Sequence, residues 1–336
     1  MAESFEQAIF EEESKRLGKE EKDFLSTLPK HEGWCFEFLY NFQGFWFNSL
    51  CVKTALKLQQ NFQPLDGDVL LATPPKTGTT WLKALGFCIM NKNPDRERPS
   101  QYLAALAVNN PHKLVPTMGE EAILATPSGT STPRLLHTHF PYEVLPESVK
   151  TSTSTCRVVY LCRNVGDHFI SSWKFFNKLR SKDLAPLPLE EAFELFCNGV
   201  SFCGPYWEHV LGYWKASKDE DDQKNKKILF LRYEDLQRDP GFHLKEMASF
   251  LGRPFTVEEE EEEGVVEKIV EVSSFQRLTS LEVNKVGNNR YGFPNSYFFE
   301  RGVVGGCAEY LTPEMIERLR RITDQKFQGS GLHLDI

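Results

Sequence analysis

The chain has 336 residues, enough for one large α/β domain or two ordinary ones, and its 40% hydrophobic and 26% charged content describes an ordinary folded protein. A formal charge of −8 excludes a general nucleic-acid binder, whose surface must neutralise phosphates, but permits one local basic pocket for a small anion. No apolar stretch approaches the roughly 18 residues of a membrane span, and the N-terminus has neither signal-peptide nor transit-peptide character, so a cytoplasmic protein without membrane contact is expected.

Taken in chain order, the acidic segment 1–30 reads as an exposed, partly helical leader, with one domain over 31–336. The run "WCFEFLYNFQGFWFN" at 34–48 is too rich in large apolar groups for a linker, so core or ligand must cover it. Four short apolar runs follow: "DVLLAT" (68–73), "RLLHT" (134–138), "RVVYLC" (157–162) and "KILFLRY" (227–233). Helical patterns such as "LKALGFCIM" and "DHFISSWKFFNKL" alternate with them. This predicts an α/β fold with a central, mostly parallel sheet flanked by helices, in which ligands bind beyond the carboxyl ends of the strands. Those ends carry Lys76 and Thr79, His139, Arg163 and Tyr233. The charged segments 215–227 and "EEEEEE" (258–263) are expected at the surface, the latter beginning near a capping Thr256. Cys88, Cys156 and Cys162 lie in apolar runs and are expected as buried thiols, consistent with a reducing compartment.

"TPPKTGTTW" (73–81) joins the first strand to a helix. Gly78 lets the backbone approach an anion, Thr79 and Thr80 add hydroxyls, and Lys76 adds a mobile charge. An ordinary turn with an incidental lysine is the alternative. A Walker loop would need lysine after the last glycine, and that pattern is absent, which weighs against a magnesium-dependent kinase. In "RLLHTHFP", His139 ends the strand and is the better general base, whereas His137 lies deeper. No set of ligands suits a metal. Arg163 ends a buried strand and requires an anionic partner, either Asp167 or a phosphate shared with Ser171.

Together these segments resemble the soluble sulfotransferases, above all the plant enzymes. Pro75–Trp81 matches their P-K-[ST]-G-T-T-W loop, Thr138–Pro141 their T-H-[LIF]-P segment, and Tyr160–Ser171 their Y-x-x-R-N-x-x-D-x-x-x-S segment; "RYEDL" (232–236), Ser274-Phe275 and "LTPEM" (311–315) also fit. The resemblance implies a P-loop-like site for 3′-phosphoadenosine 5′-phosphosulfate (PAPS), which leaves as 3′-phosphoadenosine 5′-phosphate (PAP), without a metal. Lys76, Thr77, Gly78, Thr79 and Thr80 would hold the phosphosulfate, with Lys76 also catalytic beside His139. Trp81, Tyr233 and Phe275 would surround the adenine, and Arg163 and Ser171 would hold the 3′-phosphate. Arg301 and Gly302 stand in a late R-K-G segment with the same duty, Arg301 where lysine is usual, but Glu300 replaces its arginine and Gly306-Cys307 replace an Asp-Trp pair. A catalytically weakened nucleotide binder is the alternative this leaves open. The dimerisation pattern of animal relatives is broken at Ala308 and Pro313, so a monomer or a different dimer is expected. The acceptor is expected to be a small hydroxylated molecule (a phenol, flavonoid or steroid) against Phe42, Phe45, Trp46, Phe140 and Tyr142, unless these rings are core.

Overall fold

The computed structural model describes residues 17–92, 100–120, 133–151, 153–180, 185–218, 227–262, 264–289 and 292–336. Helix α1 (Lys19–Ser26) leads into an antiparallel sheet of β1 (Lys30–Gly33), β2 (Phe36–Phe42) and β3 (Phe45–Phe47). Gln43 and Gly44 join β2 to β3 with φ of 54° and 89°. Two successive left-handed residues suit the right-handed twist of a two-residue hairpin. Leu39, Phe42, Phe45 and Phe47 are buried in the larger core with Leu25 of α1. On its other edge the hairpin exchanges backbone bonds of 2.8 Å with Cys203 and Gly204 through Trp46.

Helix α2 (Ser49–Asn61) follows, capped by the Asn48 side chain, which accepts from the Cys51 amide at 2.9 Å. The predicted strands then appear as β4 (Val69–Ala72), β5 (Leu135–Thr138), β6 (Arg157–Cys162) and β7 (Ile228–Arg232). They form one sheet in the order β5-β4-β6-β7, parallel throughout. The antiparallel strands belong to the separate hairpin sheet, so the central sheet is wholly rather than mostly parallel.

Alternate residues of the strands feed two cores. Leu71, Val159, Leu161, Leu229 and Leu231 pack with α3 (Thr79–Asn91). The opposite face, including Leu70, Val158, Tyr160 and Cys162, packs against α4 (Val165–Leu179), α5 (Tyr206–Ser217) and the hairpin. Burial on both faces explains why these strands read as unbroken apolar runs. Beyond β7 come α6 (Tyr233–Arg238), α7 (Pro240–Phe250), α8 (Val265–Ser273), α9 (Phe275–Ser280) and α10 (Pro313–Phe327).

In register, Leu71 faces His137 and Ala72 faces Thr138, and the Thr73 amide donates to the Thr138 carbonyl at 3.1 Å. The loops after β4 and β5 therefore leave the sheet side by side. The acidic run differs from a purely solvated face: Glu259 pairs with buried Lys92 at 2.6 Å, while its amide donates to the Thr256 hydroxyl at 3.2 Å. The charged stretch 219–226 lies outside the described residues. Among those described, no helix is long and apolar enough to cross a membrane.

Candidate active site

The loop after β4 owes its shape to two left-handed residues, Lys76 with φ 68° and Gly78 with φ 104°. A β-carbon at Gly78 would lie 2.7 Å from the Tyr233 ring and 3.2 Å from Leu161, so only glycine fits. Gly78 is also the N-cap of α3 and offers no side chain to its first-turn amides, a helix start of the kind that can receive an anion. The Thr79 hydroxyl bonds Thr73 at 2.7 Å, and the Thr80 hydroxyl lies 2.9 Å from His112 Nε2. Thr77 turns inward instead. Its hydroxyl donates to the carbonyls of Pro74 and Leu161, at 2.9 and 3.1 Å, fastening the loop to β6.

Lys76, Gly78, Thr79, Thr80, Trp81 and His139 line a cavity of about 310 Å³. Lys76 Nζ stands 4.2 Å from the centre of the Phe175 ring. Burial pushes its pKa down to about 7; Glu300 opposes the fall, and Lys178 and Arg163 add to it.

His139 is held in one orientation from two directions. Its Nδ1 lies 2.8 Å from the Thr73 carbonyl, which can only accept, so Nδ1 carries the proton and Nε2 is the basic nitrogen. The His139 carbonyl accepts from His209 Nε2 at 3.1 Å, and His209 Nδ1 in turn accepts from the Tyr160 hydroxyl at 3.0 Å. Burial pushes the His139 pKa down to about 3; the Thr73 bond opposes this, and Lys83, His209 and Lys76 reinforce it. The imidazole is thus neutral. His137 is buried, with its ring 4.4 Å from that of His139, and its Nδ1 has no partner among the described residues.

Arg163, Ser171, Tyr233, Phe275 and Gly302 also line this cavity. Arg163 has the first of its two expected partners, Asp167. Its Nη2 bonds Asp167 at 3.0 Å and the Val303 carbonyl at 2.5 Å, while its buried Nε has no partner among the described residues. A buried donor left open in a cavity wall suits an anionic oxygen. The guanidinium also lies 4.7 Å from the centre of the Tyr233 ring, which neighbours Trp81 and Gly78 as well. Gly302, with φ 63°, lies so close to Phe275 that a β-carbon would meet the ring at 2.8 Å.

The altered late segment keeps its place through backbone groups. The Gly305 and Cys307 amides each donate to Asp167 at 2.9 Å, and Cys307 packs over Gly166. Burial alone would raise the Asp167 pKa, but Arg163, Asn164 and these two amides overcome it and leave it lowered. Arg301 departs from expectation. Its side chain is exposed, pairs with Glu309 and does not line the cavity, because that nearby carboxylate offers it a solvated partner.

A second cavity, of about 630 Å³, shares Pro75, His112, His139, Phe175 and Phe298 with the first. Of the five aromatics expected along it, Phe140 is present and four are elsewhere. Phe42 is buried against Phe24, Phe45 meets His209, Trp46 meets His31 edge-on, and Tyr142 meets Tyr213. These rings are consumed in joining the hairpin and the segment after β5 to the core. Phe36, Phe175, Phe176, Phe202, Phe293 and Phe298 supply the aromatic wall instead. Sequence reading also missed His112 and Lys83. His112 lies against Phe298 with ring centroids 4.3 Å apart, and its Nδ1 lies 3.3 Å from buried Lys83 Nζ. The "NPHK" segment around His112 carries no local signal for this, since the contact is made by packing across α3.

Fold and comparison define the class, a sulfotransferase: residues 66–331 match the family described as the sulfotransferase domain. Cytosolic sulfotransferase 15 of Arabidopsis thaliana is 44% identical over 326 residues, which cover 96% of this chain and 89% of that protein. Flavonol 3-sulfotransferase of Flaveria bidentis is 38% identical over 321 residues, covering 93% and 99%. The solved structure of an Arabidopsis thaliana sulphotransferase superposes with a TM-score of 0.70 at 34% identity, covering 95% of this chain and 98% of that one. A mouse sulfotransferase complexed with PAP shares the fold, with a TM-score of 0.63 at 23% identity over 87% and 95% of the two chains. The chain belongs to the sulfotransferase family, and within it to the PAPS-dependent enzymes of the plant cytosolic type, which transfer sulfonate to small acceptors.

Proposed function

We propose that this protein transfers a sulfuryl group from PAPS to the hydroxyl of a small apolar acceptor (a phenol, flavonoid, steroid or related plant metabolite), with His139 as the general base. One observation carries the reading: the two cavities meet at His139, whose Nδ1 is committed to the Thr73 carbonyl, leaving Nε2 to take a proton.

The open Nε of Arg163, the uncapped start of α3 and the glycine-only approach at Gly78 favour a phosphorylated donor in the smaller cavity. Arg163 and Ser171 would hold its 3′-phosphate, and Trp81, Tyr233 and Phe275 would flank the adenine. When bound, PAPS supplies the activated sulfuryl group. Lys76 and the first amides of α3 neutralise charge on the phosphate side, and His139 Nε2 removes the acceptor proton. The aromatic wall from Phe36 to Phe298 excludes water and orients the acceptor. Residues 31–336 form the catalytic domain on this reading, and the cytoplasm is its compartment, following the name of the Arabidopsis relative.

Calorimetry with PAP in the absence of metal, followed by turnover of PAPS with a panel of hydroxylated aromatics and steroids, tests the reading. Binding and sulfated product are expected. His139→Ala should retain PAP binding and lose about 10²–10⁴-fold in rate. PAP binding without turnover of any acceptor would make a non-catalytic relative the better account. Near-normal turnover by folded His139→Ala would remove the base from the mechanism.

A further inference from the structure

Glu300 stands in the wall of the donor cavity, a carboxylate where a polyanionic nucleotide would bind on the reading above. Its field reaches Lys76, as do those of Arg163 and Lys178. Arg163 is already matched by Asp167. With Glu300 set against Lys76, these four groups carry no net charge, a poor host for a ligand with phosphate at both ends.

Lys178 changes the balance. It lies on α4 seven residues beyond Ser171, two turns on and over the same face, with Phe175 between them in the cavity wall. Its Nζ is 2.6 Å from the Glu300 carboxylate, with the two side chains 38% and 24% exposed. The ring of Tyr297 lies 5.9 Å from the same ammonium. Glu300 lines the cavity and Lys178 pairs with it from outside the lining, both partly withdrawn from solvent, where a charge is screened less than on open surface.

We propose that Lys178 is a positioning residue of the donor site, which neutralises Glu300 and so keeps the cavity positive for the phosphates of a nucleotide phosphorylated at both its 3′ and 5′ ends. The acid at position 300 and the lysine at 178 form one unit, and an acid is tolerated in the wall because the lysine answers it. The proposal rests on the sulfotransferase reading and adds a residue that none of its motifs contains.

The test is calorimetric titration of PAP into the full-length protein and into Lys178→Met, Lys178→Arg, Glu300→Gln and the double variant Lys178→Met/Glu300→Gln, each first checked for folding by its thermal midpoint. Loss of the lysine alone should weaken PAP about tenfold, as an uncompensated carboxylate within a Debye length of the phosphates implies. Lys178→Arg should stay within about threefold of the parent, Glu300→Gln should bind at least as tightly as the parent, and the double variant should recover to within about threefold. A merely structural lysine would not be rescued by removing its acid. Parent-like binding by Lys178→Met overturns the proposal, as does a double variant as weak as Lys178→Met. If Lys178→Met fails to fold, Glu300→Gln decides: weaker PAP binding than the parent would mean that Glu300 helps the donor and would sink the idea. A parent protein that does not bind PAP contradicts the sulfotransferase reading itself, whereas unequal variants of a binding parent address Lys178 alone.

Discussion

Removing the proton from Lys76 should weaken the donor site in a way that pH alone reveals. Burial holds the ammonium near 7 in the ligand-free protein. An anion binds the protonated form better, so binding raises this pKa, and affinity falls as pH rises through about 7. With a free-state pKa of 7, the protonated fraction drops from about three-quarters at pH 6.5 to about 3% at pH 8.5, a loss of about 25-fold in PAP affinity if the bound lysine stays charged. Calorimetry at those two pH values, repeated in buffers of different ionisation enthalpy, reads both the affinity and the protons taken up. Uptake should approach one proton per PAP at pH 8.5. Lys76→Met should bind more weakly and lose most of the slope, and Lys76→Arg, always charged, should be flat. A flat profile for the parent protein, or an unchanged slope in Lys76→Met, would refute the argument.

Gly78→Ala combines a left-handed φ with a clash against Tyr233, which Arg163 and Trp81 hem in, so a loss of about 2–4 kcal/mol is expected in thermal unfolding, together with PAP affinity. Asp167→Asn removes the carboxylate that anchors Arg163 and two amides of the late segment; a loss of about 3 kcal/mol and weaker PAP binding should follow, measured by denaturant titration and calorimetry. Phe298→Ala, which opens the wall common to both cavities, should raise acceptor KM, whereas folded Trp46→Ala should lose stability without changing it.

The parallel sheet was legible because strands buried on both faces leave continuous apolar runs, and "DVLLAT" and "RVVYLC" contain β4 and β6. The residues at the strand ends were legible for the same reason: a parallel sheet puts its loops, and with them Lys76, His139 and Arg163, at one edge. What lay hidden depends on pairings distant in sequence. The 34–48 run gave its apolar content but not its direction, and only the folded hairpin turns Phe42 and Phe45 into the core. The aromatic wall of the larger cavity draws on Phe36, Phe175, Phe202 and Phe298, which no local pattern connects. Lys83 looks like any helical lysine until its Nζ is found bonded to the Val115 carbonyl at 3.1 Å inside the protein. Arg301 illustrates the converse, because its motif position is right while Glu309 draws its side chain outward.

The pairing of β4 with β5 acts as a caliper for the chemistry. Ala72 faces Thr138, so the lysine loop and the histidine start from the same rung of the ladder, and Thr73 reaches across to fix the imidazole. Side chains alternate along a strand, so a slip of one residue would exchange His139 with Thr138 and turn the imidazole toward the opposite face. A single insertion or deletion in either four-residue strand therefore alters the reaction geometry more than most side-chain replacements in the loops, and insertions between the strands should be tolerated only where they leave that rung undisturbed.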